Sequence, residues 1–92
     1  MDSTIIVNMR YAKATVNCGR GSIYGNPYRI GVDGTRDEVC DKYIIYFNKR
    51  LLDEKFRAKV LALRGHRLGC WCKPKRCHLE TIVEFINKNE TG

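Results

Sequence analysis

Acidic residues are scarce and unevenly spread in this sequence. Ten Asp and Glu stand against seventeen Lys and Arg, a formal charge of +7 over 92 residues. No acid lies between Tyr11 and Val32, and none between Arg64 and Leu79. The first stretch carries Lys13, Arg20 and Arg29; the second carries Arg64, Arg67, Lys73, Lys75 and Arg76. Most acids fall between the two, at Asp33, Asp37, Glu38, Asp41, Asp53 and Glu54. If the two acid-free stretches meet in the fold, they make a positive site suited to phosphate, nucleotide or nucleic acid. If they stay apart, they are a basic, solvated surface.

Long apolar runs are also missing. Nothing approaches the roughly 20 residues of a membrane span, and Met1 to Val7 lacks the basic start and apolar core of a signal peptide. The expectation is a cytoplasmic domain with no membrane partner. No repeat, linker or low-complexity segment divides the chain, so residues 1–92 are read as a single domain. Apolar residues make up 43% and charged residues 29%, the balance of a folded domain. Five cysteines invite a disulfide framework, but the odd count and the absent leader argue against one.

Thr4 to Met9 is rich in β-branched residues and reads as a buried strand, with a short second strand over Ala14 to Cys18. Gly19 to Gly34 holds five glycines and the Asn26–Pro27 pair, the composition of an ordered loop. Asp33–Gly34 marks a turn, and Thr35 with Glu38 has capping-box spacing. A helix follows, with Val39, Tyr43 and Phe47 on one ridge and Cys40, Ile44 and Leu51 on the next. Asp53–Glu54 opens a second helix that points Phe56, Val60 and Leu63 inward and stops at Gly65. His66 to Trp71 fits a central strand with Trp71 in the core, and His66 reads as a surface residue. Leu79, Ile82, Val83 and Ile86 mark a last helix to about Lys88. The order predicts a compact α/β, Rossmann-like domain: a small sheet, a glycine-rich loop and packed helices.

Two segments carry chemistry. In the first, Gly19, Arg20, Gly21, Ser22, Gly25 and Asn26 form a run whose glycines let backbone N–H groups approach an anion. Arg20 adds a bidentate fork and Ser22 a hydroxyl. The run matches neither the phosphate loop nor the dinucleotide fingerprint, and a plain glycine-rich connection is the competing reading. In the second, Cys70–Trp71–Cys72–Lys73–Pro74–Lys75–Arg76–Cys77–His78 lies where a strand ends and a helix begins, the place where open α/β sheets bind ligands. Lys73, Lys75, Arg76 and the helix N-terminus favour thiolate at Cys72 or Cys77. Cys72, Cys77 and His78 are therefore the candidate reactive residues, with a cysteine as nucleophile and His78 as base. Asp33 is the nearest acid by motif. No metal is assigned; the alternative is zinc on Cys70, Cys72, Cys77 and His78, although adjacent Cys and His rarely share one ion.

In combination, Gly19–Arg20–Gly21–Ser22, Gly25–Asn26–Pro27, Asp33–Gly34–Thr35–Arg36 and the Cys70-to-His78 run resemble the uncharacterised domain of unknown function 4326 family of bacteria and their phages. The resemblance runs from about Ile5 to Phe85. It implies a cytoplasmic domain, often phage-encoded, and brings no established activity. Tyr28 stands where the family commonly has Phe. The strand–Cys–His–helix ending is more weakly similar to another uncharacterised Rossmann-like family.

Fold physics alone does not demand these motifs, and one shared site would account for all of them. The expectation is a basic pocket for an anionic, nucleotide-like ligand. Arg20, Ser22, Asn26 and Arg36 would bind it, with Cys72, Cys77 and His78 at its reactive end. The alternative is a zinc-stabilised module that grips nucleic acid through Arg64 to Arg76.

Overall fold

The computed structural model describes residues 4–19, 22–71 and 75–89. Strands β1 (Ile5–Asn8), β2 (Val16–Asn17) and β3 (Arg67–Cys70) form one sheet in the order β1–β3–β2. Both outer strands run parallel to β3. The C-terminal ends of all three therefore share one edge of the sheet. With helices α1 (Arg36–Arg50), α2 (Glu54–Leu61) and α3 (Leu79–Lys88), the fold is α/β.

β3 is central because its backbone is bonded on both sides, and its sequence is built for close approach. A Cβ at Gly69 would lie 2.6 Å from both the Ala14 Cβ and the Met9 Sδ, which belong to the segment crossing from β1 to β2. Only glycine fits where that segment passes over the strand.

α1 begins as its sequence dictates. The Thr35 hydroxyl accepts from the Glu38 N–H, and the Glu38 carboxylate accepts from the Thr35 N–H at 2.9 Å. That reciprocal bond holds the exposed Glu38 carboxyl below its ordinary pKa. Val39, Cys40, Tyr43 and Phe47 are buried, whereas Ile44, expected on the same stripe, faces solvent. Asp53 caps α2 by accepting from the Lys55 N–H, and Gly65 turns the chain with φ +80°. Phe56, Val60 and Leu63 point inward and meet Leu79, Ile82 and Ile86 of α3 in one core with Tyr43, Phe47 and Leu68. Phe47 joins the helices, its ring 5.9 Å from Phe56 and 5.8 Å from Phe85.

Trp71 is a correction. It was expected in the core and is 62% exposed. The sheet ends at Cys70, one residue earlier than the pattern implied, and Trp71 lies beyond it at the mouth of a cavity. Among the described residues, no helix is long and apolar enough to cross a membrane.

Candidate functional site

The two acid-free stretches meet along β2 and β3. Thr15 N–H donates to the Arg67 carbonyl at 2.9 Å, Cys18 N–H donates to Gly69 at 3.0 Å, and Arg67 Nε donates to Lys13 at 3.0 Å. At the C-terminal edge of the sheet this junction borders a half-enclosed cavity of about 150 Å³. Gly19, Asn26, Tyr28 and Ile30 form one wall and Arg36, Val39 and Cys40 of α1 a second. Cys70, Trp71, Arg76, Cys77 and His78 close it from the β3–α3 side.

Cys77 and His78 sit together in the wall. The Cys77 Sγ is 3.6 Å from His78 Nδ1, and His78 Nε2 is 2.8 Å from the Cys18 carbonyl oxygen. A carbonyl only accepts, so Nε2 carries the hydrogen and donates to it. In the neutral ring Nδ1 is then the acceptor, and it faces the thiol. The Tyr43 ring stands edge-on to the imidazole at 5.0 Å, and the Glu80 carboxylate holds the Cys77 N–H at 3.0 Å. Next to this pair, burial pushes the Cys18 thiol up to about 12, with the neighbouring Cys70 thiol adding to the effect. Cys18 is fully buried in the core.

Two guanidiniums mark the rim. Arg76 is spoken for: it bonds the Asp41 carboxylate at 2.8 Å and that of Asp37 at 3.2 Å. The hydrogen bond to Asp41 is the main cause that raises its pKa above the ordinary arginine value. Arg36 donates through Nη1 to the Arg76 carbonyl at 3.2 Å. Among the described residues, no carboxylate pairs with it.

The cavity thus gathers Gly19, Asn26, Arg36, Cys70, Cys77 and His78 of the candidate residues. Ser22 and Gly25 do not line it. The Ser22 hydroxyl donates to the Gly19 carbonyl at 2.7 Å and Gly25 N–H donates to Ser22, so both build successive turns. Asn26 is a strut as well as a lining residue. Its Nδ2 donates to the Val39 carbonyl at 3.0 Å and its Oδ1 accepts from Tyr28 N–H at 2.9 Å. The Asn26–Pro27 pair therefore has a structural job that fold physics was expected not to require. Asp33 does not line the cavity: its carboxylate accepts from Arg29 N–H at 2.8 Å and closes the turn through Gly31 and Gly34.

Arg20, Gly21 and Cys72 lie outside the described residues. No three His, Cys, Asp or Glu side chains among the described residues are grouped to hold a metal ion. Sequence reasoning passed over Val39 and Cys40 as parts of the cavity, because on a helical wheel they are indistinguishable from ordinary core. Arg76 was counted as charge but not as a rim residue already paired.

The sequence matches the family described as Domain of unknown function (DUF4326) over residues 7–88. The chain belongs to that family. The match spans every wall of the cavity, from Gly19 to His78. This DUF4326 chain is also 36% identical, over 85 residues, to an uncharacterized 12.4 kDa protein in the nrdA–td intergenic region of Enterobacteria phage T4. That alignment covers 90% of this chain and 77% of the phage protein. No solved structure matches the DUF4326 chain.

Proposed function

We propose that the cavity binds an anionic, nucleotide-like ligand. The observation that carries this reading is the placement of Arg36, a half-buried guanidinium without a carboxylate partner among the described residues, at the rim of a cavity walled by Tyr28 and Trp71. A phosphate on Arg36 and a planar ring against the aromatic wall would use both features. The position supports it too, since Rossmann-like sheets take their ligands outside the C-terminal ends of parallel strands. Arg20 of the Gly19–Arg20–Gly21–Ser22 run is the second cation we assign to the phosphate. The relative in phage T4 is in keeping with a phage-encoded domain that works in the host cytoplasm.

A second reading has its own observation. Arg10, Tyr11 and Lys13 form an open basic groove along the segment between β1 and β2, and Tyr11 and Trp71 are 79% and 62% exposed. Exposed aromatics among cations suit a single nucleic-acid strand, and zinc on the Cys70-to-His78 run would belong to that reading.

Thermal shift with nucleoside monophosphates, inorganic phosphate and a single-stranded oligonucleotide separates the two. The nucleotide reading expects stabilisation by a monophosphate and its loss in Arg36→Ala, because a charge-assisted bond contributes roughly 1.5–3 kcal/mol to binding. Oligonucleotide binding that falls steeply with salt, with no monophosphate response, favours the groove.

A further inference from the structure

The cysteines of this fold are not equivalent. Cys18, Cys40, Cys70 and Cys77 are all buried, and the Cys77 sulfur stands 3.6 Å from an imidazole nitrogen, His78 Nδ1. That nitrogen is pre-set by a group outside the pair. The Cys18 carbonyl takes the Nε2 hydrogen at 2.8 Å, which leaves the Nδ1 lone pair toward Sγ in the neutral ring. A nucleophile, a base in reach and a third group orienting the base is the arrangement that activates cysteine in covalent catalysis. The pair also faces the cavity, since both residues line it.

We propose that Cys77 and His78 form a nucleophile–base pair acting on a carbon electrophile at the inner end of the anionic ligand. The proposal rests on the ligand reading above for its substrate class. Arg36 bonds the carbonyl of Arg76, the residue preceding Cys77, so the guanidinium and the sulfur border the same cavity and can meet one ligand. In the step, the Sγ proton passes to Nδ1 and the sulfur electron pair forms the S–C bond. The leaving group departs with the electrons of its broken bond to carbon and collects the proton from Nδ1. Glu80 keeps the Cys77 backbone in place and takes no part in the transfer.

The test is site-resolved alkylation of the full chain by iodoacetamide, followed by mass spectrometry, with and without EDTA. Here S–C forms, C–I breaks and iodide leaves. Cys77 is expected to react about tenfold or more faster than Cys18, Cys40 and Cys70, and His78→Gln to slow Cys77 by a similar factor while sparing the others. A Cys77 no faster than Cys40 in the wild-type protein overturns the proposal, and so does a folded His78→Gln variant with an unchanged Cys77 rate. Reaction only after chelation overturns it in favour of a bound metal. If His78→Gln fails to fold, the wild-type comparison decides alone. Iodoacetamide is uncharged and needs no ligand, so this result is independent of nucleotide binding, which the thermal-shift series reports.

Discussion

His78 Nε2 donates to the Cys18 carbonyl at 2.8 Å, joining the residue that precedes α3 to the residue that follows β2 across 60 positions of sequence. The bond does two things. It satisfies a polar group inside the core, and it sets which imidazole nitrogen faces Cys77. Structure and site share one contact.

Removing the ring exposes the structural half of that contact. His78→Ala leaves the Cys18 carbonyl without its donor, and a buried group stripped of its partner costs roughly 1–3 kcal/mol. Urea unfolding should show a loss of about 2 kcal/mol. A variant as stable as wild type would mean the bond contributes nothing to the fold.

Gly69→Ala addresses the centre of the sheet. The added Cβ would stand 2.6 Å from Met9 and Ala14, far inside contact distance. Either the segment from β1 to β2 lifts or β3 bends, and overpacking of this kind costs roughly 1–3 kcal/mol. A drop in the urea midpoint with an unchanged slope is the expected signature. Wild-type stability in the variant would show that the crossing segment is not packed on the strand.

Alkaline pH should weaken the fold before it affects helix caps or surface ion pairs. The Cys18 thiol ionises near 9.0 in the unfolded chain and near 12 in the folded one. Between those values unfolding releases a proton, so stability falls as pH rises. Tyr43, whose ionisation burial also pushes upward, adds to the fall once pH passes the ordinary tyrosine value of 10.0. Denaturation midpoints measured from pH 8 to 11 should decline, and Cys18→Ala should flatten the first part of the decline. A flat profile in the wild-type protein contradicts the burial of both groups.

How much of this was legible in the sequence depends on how local the cause is. The Thr35–Glu38 capping box is set within four residues, and it formed as expected. The apolar spacing of α2 and α3 and the central place of β3 are likewise properties of short segments. The meeting of the acid-free stretches was an inference from charge alone, and the pairing of β2 with β3 provides it. What could not be read depends on contacts made far along the chain. Asn26 reads as a ligand-binding residue, and the second job of its amide, the bond to the Val39 carbonyl, is invisible until α1 is placed beside it. Arg76 looks like a free cation until α1 brings Asp37 and Asp41 to it. Trp71 was misplaced because its burial depended on the residue at which β3 ends.

The central claim, a nucleotide-like anion held at the C-terminal edge of the sheet, is tested most directly by following backbone amide resonances during titration with a nucleoside monophosphate. Saturable shifts at Gly19, Arg36, Trp71, Cys77 and His78, abolished in Arg36→Ala, are the predicted result. Shifts confined to Arg10, Tyr11 and Lys13, or no saturable shift with any monophosphate, would contradict it.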